Sequence, residues 1–110
     1  MQKEYIICSA NYYNDNKVHI HNPLNIEIGF VVCGRRHHNC INIFSMIVGF
    51  PYSEEAHKIK NTEIEGFLTN TNRFVDRIEA YDIAFKADQI IIPNKGYSEN
   101  NIRLYSEDLY

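Results

Sequence analysis

The chain has 110 residues, 45% hydrophobic and 23% charged, enough for one domain with one core (residues 1–110) and too few for two. A formal charge of -3 and a pI near 5.9 argue against a DNA- or RNA-polymer binder or a membrane-surface protein, which would be basic. No apolar run approaches the ~18 residues of a membrane span, and three cysteines in apolar or mixed stretches favour reduced thiols in a cytoplasm over a disulfide framework.

Glu4–Tyr13 (EYIICSANYY) mixes β-branched and aromatic residues and predicts a strand. Asn14-Asp15-Asn16 is turn chemistry, because these side chains bond their own backbone and tolerate left-handed φ. Lys17–His21 (KVHIH) alternates strictly and predicts a second strand, closing a hairpin that Asn22-Pro23 ends. A loop through Asn25 leads to the apolar run Phe30–Cys33, read as a buried strand that stops at Gly34.

Arg35, Arg36, His37 and His38 follow, and a helix begins near His37 or His38. Its spacing is carried by Cys40, Ile41, Phe44, Ile47 and Val48, with Gly49 placed as its stop before Phe50-Pro51. Tyr52–Thr62 reads as an exposed polar loop, with a short helical turn as the alternative. Ile64–Thr69 and Arg73–Val75 flank Asn70-Thr71-Asn72 and form a hairpin. Asp76-Arg77-Ile78-Glu79 is a capping box, and the helix it opens runs to about Asp88. Pro93–Asn101 reads as a polar loop and Ile102–Tyr105 as a last strand before an acidic tail. The order β-β-β-α-β-β-α-β with hairpins gives an α+β fold: an antiparallel sheet from two hairpins plus edge strands, with two principal helices.

The chemistry concentrates where the Phe30 strand hands over to the first helix. A helix start leaves backbone N–H groups unsatisfied and favours negative charge. Arg35 and Arg36 add guanidinium forks of the kind that fit phosphate; the alternative is an exposed cluster paired with Glu63, Glu65 or the tail acids. Of His37 and His38, one bonds backbone near the helix start and its neighbour faces a ligand or a partner protomer. Cys33, His37, His38 and Cys40, with His19 and His21 in reserve, lack the paired spacing of a zinc site, and cysteines in apolar runs are usually inert. No metal and no cofactor is expected.

Phe67 and Thr69 share a strand face, available to stack on a base and bond an oxygen, or else to fill the core and close the turn. Arg77, at the first helical position, reaches a phosphate or pairs with Glu79 or Glu107. Arg103 suits a pocket wall or a protomer interface.

Three stretches, NPLNIEIGFVVCGRRHHNCI at 22–41, GFLTNTNRFVDRIEA at 66–80 and RLYSEDLY at 103–110, together resemble the phage-encoded Thoeris anti-defence proteins of the signal-sequestering type. The resemblance implies a non-enzymatic sponge in the cytoplasm of the infected bacterial host. It would bind cyclic ADP-ribose isomers made by TIR-domain sensors without cleaving them, as a homodimer or hexamer. Some such proteins also hold cyclic di- or trinucleotides in a different pocket. On these motifs the ligand-binding residues are Arg35, Arg36, His37, His38, Phe67, Thr69, Arg77 and Arg103. The competing functions are a phosphodiesterase or hydrolase using His37 or His38, and a protein-binding inhibitor of a defence protein.

Overall fold

The central strand takes its neighbours from far along the chain. The structure, a computed structural model, describes residues 3–91 and 103–110. In it β1 (Ile6–Tyr13) pairs with β2 (Phe30–Gly34) on one side and β3 (Ile64–Thr69) on the other; β4 (Phe74–Asp76) completes a sheet of order β2-β1-β3-β4. Every pairing is antiparallel, with Ala10 opposite both Cys33 and Gly66. Three helices, α1 (His37–Val48), α2 (Glu54–Lys60) and α3 (Arg77–Lys86), and a 3₁₀ turn at Ser106–Asp108 complete the α+β fold. No helix among the described residues is long and apolar enough to cross a membrane.

The expected first hairpin does not form, since Lys17–His21 belongs to no strand. Local bonds win there: Asp15 accepts from the Lys17 N–H and pairs with His19 Nε2 at 2.7 Å, and Asn14 accepts from the Asn16 N–H. Val18 and Ile20 are 76% and 85% exposed, so their alternation faces no core. Residues 54–60 take the helical alternative, with Ser53 as N-cap and two glutamates in the first turn. The second hairpin stands, turned by Asn72 at φ 62°. Asp76 caps α3 through the Ile78 and Glu79 N–H groups, while Glu79 turns its carboxylate to Arg73 rather than back to the cap. Arg103–Tyr105 joins no strand; Ile102 and the predicted 93–101 loop lie outside the described residues.

Period-2 alternation puts Ser9, Asn11 and Tyr13 on one face of β1, with Phe67 beside Ser9 on β3. Both long helices cover that face. Under α1, Tyr13 stacks on Phe44 at 4.1 Å with Val32 and Cys40 close by. Under α3, Ile6, Phe67, Val75, Tyr81 and Leu104 form the second cluster. The His37 ring meets Phe67 edge-on at 5.1 Å where the two clusters join. On the outer edge, the Asn25 amide bonds both the N–H and the C=O of Phe74, at 2.8 and 2.6 Å.

A polar knot ties the start of the chain to the second hairpin. Glu4 receives Nε and Nη2 of Arg73 at 2.9 and 2.8 Å and the hydroxyls of Thr69 and Thr71. The Arg73 guanidinium, helped by the two threonines against partial burial, holds the Glu4 carboxyl down to about 2 from an ordinary value near 4.5. A carboxyl lowered on folding stabilises above its unfolded value, and that contribution disappears as pH falls from about 4.5 toward 2. Solvent reaches 23% of this side chain, so after screening the contribution is about 1–2 kcal/mol. Urea midpoints measured from pH 5 to pH 2.5 should fall more steeply for the native chain than for Glu4→Gln; parallel curves would remove Glu4 from the acid response.

Candidate functional site

The cationic run sits where β2 turns into α1. Ser9 Oγ donates to the Arg35 carbonyl at 3.1 Å and fixes the exit from the strand. Arg36, extended at φ -127° and ψ 161°, is the N-cap of α1. Its side chain contains no acceptor, so it cannot satisfy the first-turn N–H groups; Asn39 Oδ1 instead accepts from the Arg36 N–H at 3.1 Å. No acidic residue stands in that turn, which leaves the helix start positive.

The start of α3 meets it. Arg77 Nη2 lies 3.4 Å from His37 Nδ1, and the two helix starts border a cleft of about 300 Å³ lined by Arg36, His37, His38, Arg77, Tyr105, Ser106 and Glu107. Four of the eight sequence-predicted residues thus converge. His37 is buried, and its Nε2–H donates to the Gly66 carbonyl at 2.8 Å, so Nδ1 is left as an acceptor toward Arg77. Burial lowers its pKa below the ordinary 6.5, assisted by Arg77 and opposed by the Gly66 bond. Both ring nitrogens are engaged. His38 is exposed at the cleft.

Both cleft arginines are anchored from below. Arg77 donates through Nη1 to the Leu104 carbonyl at 2.8 Å and through Nη2 to Glu65 at 3.0 Å, and lies 4.7 Å over the Tyr105 ring. Glu65 thus takes the place expected for Glu79 or Glu107. Arg36 donates to Ser106 Oγ at 3.2 Å and to the backbone oxygen of Tyr110. Arg35 is exposed and lies outside the cleft lining, 5.3 Å over the Tyr110 ring.

Three predicted residues stand elsewhere. Phe67 is fully buried, because the helices cover its face of the sheet; it fills the core and is closed to a base. Thr69, equally buried, belongs to the Glu4 knot. Arg103 is exposed and outside the lining. The four residues weighed as a zinc set are split by the sheet. Cys40 donates to the Ser9 carbonyl on the helix side, its thiol pushed up to about 12 chiefly by burial. Cys33 lies on the other face, opposite Ala10, and is a free thiol like Cys8. Tyr105, Ser106, Glu107 and Tyr110 are not among the ligand-binding residues expected from the sequence, which offered only Glu107 as a partner for Arg77 and two tyrosines bracketing a short acidic turn.

Chemically, the cleft presents guanidinium donors, a stacking ring and a positive helix start. Its serine, Ser106, is buried against Arg36 and no histidine addresses it. Neither a curated protein nor a solved structure matches the chain. A family model described as the phage T4 y16D protein matches residues 5–110, and the chain belongs to that phage family.

Proposed function

We propose that the cleft between the starts of α1 and α3 binds the phosphates of a small cyclic ADP-ribose-type nucleotide and holds it without cleaving it, sequestering a bacterial defence signal during phage infection. The observation that carries this reading is the convergence of Arg36, His37, His38 and Arg77 on one cleft at two helix starts. Phage membership agrees with it. His37, bonded at both nitrogens, is poorly placed to take a proton, which supports retention over turnover at that residue.

Nanomolar retention requires about -12 kcal/mol. Two or three charge-assisted hydrogen bonds at ~1.5–3 kcal/mol each supply about half. Stacking on Tyr105 adds ~1–3 kcal/mol. A cleft of about 300 Å³ is at the small end for enclosing a nucleotide-sized ligand, so a second copy closing over it would complete the enclosure.

The test is a thermal-shift panel of cyclic ADP-ribose isomers, linear ADP-ribose and cyclic di- and trinucleotides, followed by heat release and chromatography of what was bound. A raised melting temperature with a cyclic ADP-ribose isomer, returned intact, is expected. Linear products would make the protein a hydrolase. No shift with any nucleotide, alongside a stable complex with a defence protein, would make it a protein-binding inhibitor.

A further inference from the structure

Tyr110 occupies the bonding capacity that an incoming anion would need. Its ring lies under both adjacent guanidinium groups, 5.3 Å from that of Arg35 and 5.2 Å from that of Arg36. Its backbone oxygen accepts from Arg36 Nη2, and its hydroxyl donates to the Arg35 carbonyl. All four contacts fall on the arginine pair. Arg35 stands outside the cleft lining, while Arg36 spends its fork on Tyr110 and Ser106.

The neighbouring residues are fixed much more firmly. Leu104 is fully buried and its N–H donates to the Arg77 carbonyl at 2.8 Å. Asp108 is buried, and its carbonyl accepts from the Ile91 N–H at 2.8 Å. Tyr110 is half-buried, and its own N–H makes a long bond to the Ser106 carbonyl at 3.3 Å. The segment is therefore pinned through Asp108 and held at Tyr110 chiefly by the arginines themselves.

We infer that Tyr110 is a built-in competitor for the anion site: it clamps Arg35 and Arg36 when the cleft is empty, and an anion displaces it and turns both arginines toward the ligand. The inference rests on the anion-binding reading above and adds a regulatory element to it. An oxygen acceptor and an aromatic face are what a nucleotide brings to a guanidinium, so Tyr110 and the ligand satisfy the same groups and exclude one another. A site that is free in only a fraction of molecules binds with its affinity reduced by that fraction. If the clamp is closed nine times in ten, removing it tightens binding about tenfold.

Inorganic pyrophosphate, titrated by calorimetry into the native chain and into Tyr110→Gly and Ser106→Ala, tests this. Tyr110→Gly, which removes the ring and the hydroxyl and keeps the backbone oxygen on Arg36, is expected to bind up to about tenfold tighter, and Ser106→Ala, which frees one Arg36 bond, to shift the same way by less. In the native chain, pyrophosphate should speed hydrogen exchange at the Tyr110 amide and leave Leu104 protected. Equal or weaker binding by Tyr110→Gly, with the native chain binding normally, overturns the clamp and leaves the anion site standing. Failure of all three proteins to bind overturns both. Should Tyr110→Gly not fold, unchanged Tyr110 exchange in the saturated native chain overturns the clamp alone.

Discussion

Replacing Gly66 with alanine is expected to cost about 3 kcal/mol or more, a large share of a small domain's stability. A Cβ at that position would stand 2.2 Å from the Val75 carbonyl oxygen and 2.7 Å from Cζ of Phe74. The first of these is backbone of the paired strand and cannot swing aside. Relief requires β4 to separate from β3, which opens the core cluster around Val75 and Phe67. The same carbonyl that holds His37 belongs to Gly66, so the damage reaches the cleft as well. Gly49→Ala is the matched control: its Cβ meets open space, and only the backbone at φ 89° is strained, costing ~1–3 kcal/mol. Urea denaturation of the two variants side by side checks this. Equal, small losses would show that the strand pair yields more readily than its geometry implies.

Arg77→Ala should lower nucleotide retention by about a hundredfold and should also weaken the fold. Truncating a partly buried, hydrogen-bonded guanidinium costs about 1–3 kcal/mol, because the groups left behind lose their donor. Here those groups are Glu65, the Leu104 carbonyl and His37 Nδ1. Arg36→Ala should reduce retention comparably with a stability loss of only about 1 kcal/mol, since its partners are a serine hydroxyl and one backbone oxygen. Retention on a nucleotide column and melting temperature, measured on both variants, separate the two effects. Unchanged retention in both would mean that the cleft serves folding alone.

The two long helices and the second hairpin were legible in the chain because their signals are local. Asp76 with its capped N–H groups, and Cys40 and Phe44 at helical spacing, need no knowledge of the rest of the molecule. The first hairpin was misread because alternation is ambiguous without a partner strand: Val18 and Ile20 alternate as a strand would, yet Asp15 spends its carboxylate on the turn. The site divides the same way. That Arg36 and His37 stand at a helix start could be read directly. That Arg77, 40 residues later, would meet His37, or that Phe67 would face inward, depended on β3 taking β1 as its neighbour. The tail was the least readable part, since Tyr105 and Tyr110 gain meaning only from the guanidinium groups they touch.

The amide of Asn25 bears on how such molecules can assemble. Having engaged both backbone groups of Phe74, it leaves that residue of the border strand with nothing to offer an arriving strand. Edge-to-edge addition at Phe74 is thereby opposed. If two copies join through their backbones, they meet along Phe30–Gly34, beside the turn that carries the paired arginines.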